Sequence, residues 1–282
     1  MTTISLPHSR LPRSVYVSRS IARHWLAIFL ILFGIFNFLP FLAPVFMRLD
    51  WKPPGNAIYT LYSPLCHQMA QRSFFFFGSQ VMYNADELPV KLSGNQASDT
   101  WTLRRFRGNE EVGWKVAWSD RMVYLYGGVW LAAIAYAFLA RTHRIKPISL
   151  WLFALLLFPM VLDGGTHFIS DLDGLTNGFR YDNAWLATLT GHLLPDSFYV
   201  GDALGSFNSL MRLITGLLVG IAGVWLALPY IDGQMREVDR SLSRKLQQWQ
   251  ENQWRLAREL TSVIEGHRLP NEQEVGYAGN QT

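Results

Sequence analysis

Residues 25–47 read WLAIFLILFGIFNFLPFLAPVFM, and this run decides the fold class of the chain. A bilayer core is spanned by about 20 mostly apolar residues in an α-helix, and this run is long enough. It is too long for the apolar region of a signal peptide, about 7–15 residues, and no small-residue cleavage site closes it cleanly. We therefore expect an uncleaved membrane anchor, in which Pro40 and Pro44 cause a kink or an early stop.

Three further apolar runs of similar length follow, at about residues 122–140, 148–169 and 210–231. The second of these is interrupted by Pro159 and by Asp163-Gly164-Gly165. Half of the 282 residues are hydrophobic and only 16% are charged, whereas soluble proteins carry about 25% charged residues. The sequence therefore predicts an all-α integral membrane protein with four transmembrane helices.

Basic residues flank the apolar runs at three separate places, and these places predict the orientation. They lie within residues 1–23, within the short loop 141–146, and after the fourth run. Because cytoplasmic segments of membrane proteins are enriched in Lys and Arg, all three belong on the cytoplasmic side. Both termini are then cytoplasmic, while a long first loop, 48–121, and a second loop, 170–209, lie outside. Asn95 is expected outside and Arg144 inside.

The chain is expected to divide into four segments on this basis. They are a basic cytoplasmic N-terminal segment (1–23), the four-helix membrane domain (24–231), a cytoplasmic amphipathic helix (232–268) and a disordered tail (269–282). The helix is predicted because apolar residues recur between 235 and 263 at spacings of three, four or seven. Such a helix either lies on the inner membrane surface or pairs with a helix of another membrane subunit.

The sequence also predicts local structure in each of the two outer loops. The turn-rich part of the first loop predicts a small hairpin around residues 101–106. The segment 183–191 in the second loop resembles the start of the fourth apolar run, which predicts either a re-entrant or a surface helix.

Residues with ligand chemistry collect at the expected outer face. They are Cys66, His67, Gln68, Arg72, Arg121, Asp163, Thr166, His167 and Arg212. Asp163 and His167 lie one helical turn apart, and an ionisable group inside a membrane segment is costly unless it is paired or functional. We expect Asp163 to pair with Arg121, Arg212 or Arg72, and Cys66 or His67 to lie close to His167.

The chemistry of this cluster stays open between several interpretations. Cysteine and histidine are preferred ligands of soft divalent metals such as zinc, so Cys66, His67 and His167 form one candidate metal site. Arg72 beside Cys66 would instead lower the thiol pKa and produce a reactive thiolate. The structural alternative is a buried cysteine, a hydrogen-bonded histidine, and an Asp163–Arg pair that only holds helices together.

Four short motifs recur together along residues 59–228. They read Cys66-His67-Gln68 with Arg72-Ser73-Phe74, Ser119-Asp120-Arg121 before Tyr126-Gly127-Gly128, Asp163-Gly164-Gly165-Thr166-His167, and Asn208 with Arg212 and Thr215-Gly216. This combination resembles the bacterial membrane proteins grouped as domain-of-unknown-function family 2085. The resemblance adds Asn208 to the candidate site. The family pattern has a second cysteine where this chain has Ser119 and a glutamine where it has His167, which puts a two-thiolate site in doubt.

The sequence leaves three functions of different classes open. The cluster binds a metal or a small polar ligand, or it is structural in an accessory or scaffold subunit of a membrane complex, or the chain is a thiol-redox component or membrane enzyme. The net charge of +4 is mild and no dense Lys/Arg block favours nucleic acid. The expected location is the cytoplasmic membrane of a bacterium, with the lipid bilayer as the first partner.

Overall fold

The computed structural model describes residues 12–268, with the side chains of residues 12–263. Within this part of the chain, four helices are long and apolar enough to cross a membrane. They are α1 (Arg13–Arg48), α4 (Asp120–Leu139), α5 (Leu150–Leu172) and α9 (Phe207–Arg268). The prediction of a mostly helical chain with four candidate membrane spans is therefore confirmed.

Neither α1 nor α5 ends at its internal helix-breaking residues. α1 continues through Pro40 and Pro44 to Arg48, so the early stop expected there is wrong. α5 likewise runs through Pro159 and Gly164 without a break. A proline removes one backbone hydrogen bond, and membrane helices tolerate this loss because neighbouring groups compensate for it.

The segment between α1 and α4 folds into a small layer that contains a sheet. Its elements are α2 (Lys52–Tyr62), β1 (Ser73–Phe76), α3 (Gln96–Arg105), β2 (Gly108–Asn109) and β3 (Gly113–Ser119). The strands are antiparallel in the order β1-β3-β2, with Ser73 opposite Ser119. The expectation of a purely α-helical chain is corrected by this sheet.

The hairpin expected at residues 101–106 is displaced along the chain, because α3 occupies that position. Asn95 caps α3, and its Oδ1 accepts a hydrogen bond from the Ser98 amide at 3.1 Å. The hairpin is formed by β2 and β3 instead. Gly108 begins it with a φ of 110°, and a Cβ at this position would lie 1.9 Å from the carbonyl oxygen of Gly113. Only glycine fits there.

β3 is buried along its whole length and anchors the layer to the helices. Trp118 stacks on Tyr126 of α4 with ring centroids 4.8 Å apart. Phe36 of α1 and Tyr62 of α2 meet the Trp118 ring edge-on at 5.1 and 5.3 Å. Large aromatic rings in these offset geometries dominate the packing energy of a core, so they fix the start of α4 that follows directly.

Three short helices connect α5 to α9. They are α6 (Phe179–Asp182), α7 (Ala184–Leu189) and α8 (Asp196–Tyr199). α9 then packs closely against α4 through glycines. A Cβ at Gly220 would lie 2.6 Å from the carbonyl oxygen of Leu125, so the two backbones touch in the way that small residues permit in membranes.

The chain forms two compact units, of which Leu26–Ile231 is one. The other comprises the described parts of Met1–Trp25 and Asp232–Thr282. Within it, Arg19 Nε donates to Asp239 at 3.3 Å and Trp25 Nε1 donates to Asp232 at 3.4 Å. The stretch with the predicted amphipathic spacing is helical, as part of α9. The expected tail, 269–282, lies outside the described residues.

Candidate functional site

Four arginines and four aspartates come together where α4 and α9 begin and α5 ends. They are Arg72, Arg121, Arg180, Arg212, Asp120, Asp163, Asp171 and Asp202. Six of the eight are buried, the exceptions being Arg121 and Asp171. Removing a charge from water costs several kcal/mol unless a partner compensates, so the pairing pattern decides what this network can do.

The first group is built around two arginines. Both terminal nitrogens of Arg72 donate to the carboxylate of Asp171 at 2.8 Å, and its Nε donates to Asp202 at 2.8 Å. Arg212 donates to the other oxygen of Asp202 at 2.7 Å and to Asp120 at 2.6 Å. Although burial alone would raise the pKa of Asp202, Arg72 and Arg212 hold it well below its usual range. This group has two cations and three anions, so it carries one excess negative charge.

The second group is centred on Asp163. Its two oxygens accept from Arg121 at 2.6 Å and from Arg180 at 2.7 Å. Among the described residues, the Arg121 guanidinium makes no further hydrogen bond. A Cβ at Gly164 would lie 2.9 Å from Arg121 Nη1, so the glycine leaves room for the guanidinium. Two cations share one carboxylate here, and the group carries one excess positive charge.

A cavity of about 230 Å³ lies between the two groups. Its polar lining comprises His67, Arg72, Asp120, Arg121, His167, Asp171 and Arg212. Drug-sized ligands occupy about 300–1,000 Å³, whereas one water in the liquid takes about 30 Å³. The cavity therefore fits several waters or a ligand of a few heavy atoms.

Two histidines line the cavity, and their hydrogen bonds decide which ring nitrogen carries the proton. Arg180 donates to His167 Nε2 at 3.2 Å, so the His167 proton sits on Nδ1, because an arginine cannot accept. His167 is buried, and its Nδ1 has no partner among the described residues. The amide of Met69 donates to His67 Nδ1 at 3.2 Å, which leaves the proton on Nε2. The side chain of His67 is exposed.

Cys66 does not belong to this cluster, and the predicted metal site is not supported. Its sulfur donates to Ser119 Oγ at 3.3 Å and accepts from the Ser119 and Gln68 amides, both at 3.3 Å. Within the described residues, no group of three His, Cys, Asp or Glu side chains is placed to hold a metal. The two remaining candidate ligands, His67 and His167, line the cavity among guanidinium groups, which repel a cation.

Three other predicted residues support the backbone rather than line the cavity. Gln68 Nε2 donates to the Ala117 carbonyl at 2.9 Å, which ties it to β3. Thr166 donates to carbonyls within its own helix. Asn208 donates to the carbonyl of Arg180 at 2.5 Å and so positions that arginine.

Four members of the network were missed by the sequence reasoning. They are Asp120, Asp171, Arg180 and Asp202. Asp120 had a usable signal, because it stands beside Arg121 at the start of an apolar run. Asp171, Arg180 and Asp202 lie in a loop rich in polar residues, where no spacing rule separates them from solvated charges such as Asp196.

Comparison with known proteins places this site in a family. A family model described as "Predicted membrane protein (DUF2085)" matches residues 111–226. The uncharacterized protein MJ1492 of Methanocaldococcus jannaschii is 30% identical over 178 residues, which are 61% of this chain and 91% of the relative. The chain belongs to the DUF2085 family. No solved structure matches it.

The DUF2085 match covers all of the charge network except Arg72. The family resemblance expected from the motifs is therefore confirmed. The relative is archaeal, so a bacterial source for this chain stays a prediction.

Proposed function

We propose that this DUF2085 protein binds a small polar ligand carrying an anionic group in the cavity between the two charged groups. One observation carries the proposal: the cavity wall has hydrogen-bond donors without protein acceptors among the described residues. These donors are the free N–H groups of Arg121. His167 also lines the cavity, and its Nδ1–H is a buried donor without a protein partner among the described residues. A buried donor that stays unpaired costs about 1–3 kcal/mol, so an acceptor in the cavity recovers this energy.

The charge distribution favours an anion on one side of the cavity. The Asp163 group has one excess positive charge, and Arg121 is the member that lines the cavity with unpaired donors. A carboxylate or similar oxyanion beside Arg121 neutralises this excess and accepts from His167. Arginine is well suited to the task, because its planar donors match a carboxylate in two-point contact. Asp171 also lines the cavity and can accept from donors elsewhere on the ligand.

Thermal unfolding of the purified protein in detergent tests the proposal. Acetate, glycine, glutamate and inorganic phosphate are the probes, since each is small and carries an oxyanion. A probe at 100 times its Kd stabilises the folded state by about 2.7 kcal/mol. That free energy raises the Tm by roughly 5–10 °C for a chain of this size.

Two variants give the experiment its specificity. His167→Leu removes the Nδ1–H donor and is expected to abolish the ligand-induced shift, measured against the variant's own ligand-free Tm. His143→Leu, in the exposed loop between α4 and α5, is the matched control and should keep the full shift. The binding proposal fails if no probe shifts the wild type, or if His167→Leu responds like His143→Leu.

The orientation and location belong to the same proposal. The cavity faces the non-cytoplasmic side, both termini are cytoplasmic, and the chain is a multi-pass protein of the cytoplasmic membrane of a bacterium. The basic N-terminal segment then ends at residue 23, the membrane domain at residue 231 and the cytoplasmic amphipathic helix at residue 268. In intact cells carrying Cys66→Ser, a cysteine at position 95 should react with a membrane-impermeant maleimide, and one at position 144 should not. The reverse pattern would overturn the orientation.

A second candidate is a scaffold subunit in which the network only braces the helices. Arg72 and Arg212 each donate three of their five N–H groups to protein acceptors, and these contacts favour bracing. The C-terminal part of α9 would then contact another membrane subunit. A redox role has less support, since Cys66 is buried and its sulfur is already hydrogen-bonded. Loss of all ligand effects together with co-purification of a partner would favour the scaffold.

A further inference from the structure

A second and larger hollow lies in the layer between α1 and α4, apart from the charged cavity. This groove has a volume of about 580 Å³ and shares no lining residue with the cavity. Its basic and aromatic lining consists of Tyr59, Trp101, Arg104, Arg105 and Arg107. No Asp or Glu lines it in the part of the chain that the structure describes, so the groove carries three positive charges.

The three guanidinium groups are held by aromatic faces and neutral acceptors. Arg107 lies 5.0 Å from the Tyr59 ring centroid, and Arg104 and Arg105 lie 5.5 and 5.4 Å from that of Trp101. Arg104 also donates to Ser63. Among the described residues, Arg105 donates to no protein acceptor, so its planar fork is free to bind a ligand.

Capping of α3 does not account for these arginines. Cations often collect at a helix C-terminus because they interact with its unpaired carbonyls. At the end of α3, however, the buried Lys115 already pairs with these carbonyls, because its Nζ donates to that of Arg104 at 2.8 Å and to that of Leu103 at 3.3 Å. The arginine side chains are left for another partner.

The surroundings of the groove favour lipid as that partner. Tyr62, at the end of α2, donates to the carbonyl of Phe36 at 2.7 Å, inside the apolar run of α1. The end of α2 therefore lies level with a membrane-spanning stretch. Leu61 and Leu65, next to lining residues, are 62% and 47% exposed, and Trp101 is 57% exposed. Exposed aliphatic side chains beside a basic hollow suit acyl chains below a charged headgroup.

We propose that this groove binds the phosphate group of an anionic phospholipid. Arg105, Arg104 and Arg107 take the phosphate oxygens, Trp101 covers the headgroup from the side, and Leu61 and Leu65 contact the acyl chains. Arginine is the residue of choice for phosphate, because its fork donates to two oxygens at once. The inference concerns a site separate from the cavity, so neither proposal depends on the other.

Native mass spectrometry of the full chain released from detergent micelles tests the assignment. Phosphatidylglycerol, phosphatidylcholine and inorganic phosphate are added in parallel. We expect phosphatidylglycerol to bind about tenfold more tightly than phosphatidylcholine, because the three guanidinium groups repel the choline cation that only the second lipid carries beside its phosphate. Inorganic phosphate at the same concentration should neither bind nor displace the lipid.

Arg105→Gln is the informative variant, because Arg105 makes no hydrogen bond within the described part of the chain that the change would break. It should weaken phosphatidylglycerol binding about tenfold. Lys91→Gln removes one exposed positive charge from the same segment outside the groove and is the control, with unchanged binding expected. Equal binding by Arg105→Gln and Lys91→Gln would overturn the site. Binding of inorganic phosphate in preference to phosphatidylglycerol would overturn the lipid assignment.

Discussion

Replacing Arg212 by methionine removes the most deeply buried cation of the network. Arg212 is 2% exposed and donates to Asp120, to Asp202 and to the Asp202 backbone carbonyl. Asp202 keeps Arg72 as a partner. Asp120 is fully buried, loses its only ion-pair partner among the described residues, and keeps the hydrogen bond from the Arg121 backbone amide. The variant therefore leaves an uncompensated carboxylate inside the protein.

Two independent estimates give the size of the effect. Opposite unit charges about 4 Å apart attract by about 4 kcal/mol at the effective dielectric constant of about 20 that suits proteins. Breaking a buried ion pair by removing one partner costs about 3–5 kcal/mol in measured cases. With roughly 2–4 °C per kcal/mol for a chain of this size, Arg212→Met should lower the Tm by about 10 °C.

The decisive comparison is a double-mutant cycle with Asp120→Asn. Removing the carboxylate as well takes away the unpaired charge, so the double variant should be more stable than the sum of the two single losses predicts. We expect a coupling free energy of about 2–3 kcal/mol between the two positions. Thermal unfolding followed by tryptophan fluorescence at one fixed scan rate measures all four proteins. Strictly additive losses, or single losses under about 2 °C, would refute the argument that this pair holds α4 to α9.

Three further outcomes follow from other parts of the structure. Gly220→Leu should lower the Tm by about 5 °C or more, because a side chain there meets the α4 backbone, whereas Gly223→Leu, with open space around it, should have little effect. Ser119→Cys should form a disulfide with Cys66 on mild oxidation, since the two side-chain tips are 3.3 Å apart; persistent maleimide labelling of the denatured, oxidised chain would contradict this. Burial lowers the pKa of Lys115 to about 7, against 10.5 ordinarily. Between pH 7 and pH 10.5 the unfolded chain therefore holds this proton and the folded chain does not. The free energy of unfolding should then rise as the pH is raised from 7 towards 10.5. Lys115→Met should flatten that rise in a plot of Tm against pH.

The membrane helices were predictable because lipid imposes a strong and local constraint. About 20 apolar residues in a row leave few alternatives to a spanning helix, and residues 25–47 satisfied this rule without reference to the rest of the chain. The pairing of Asp163 with an arginine followed from the same constraint, since a carboxylate at that depth needs a partner. In the structure Asp163 pairs with Arg121, one of the expected partners, and also with Arg180.

The layer between α1 and α4 was harder to predict because its order depends on contacts that are distant in sequence. β3 pairs with β1 across about 40 residues of chain, and no local sequence pattern predicts this pairing. Asn95 was a readable helix cap, but the turn-rich composition of this part of the loop favoured a hairpin at residues 101–106 over a helix. The position of Cys66 next to Ser119, rather than next to His167, likewise depends on how β3 returns to the end of α2.

During synthesis, Arg72 is added to the chain long before its two aspartate partners. Asp171 follows 99 residues later and Asp202 130 residues later. At a synthesis rate of about 5–20 residues per second, roughly 7–26 s separate the appearance of Arg72 from that of Asp202. A nascent chain thus carries this guanidinium unpaired through much of its synthesis. The contact between Arg72 and Asp202 can therefore form only late in synthesis, after most of the membrane helices have been made.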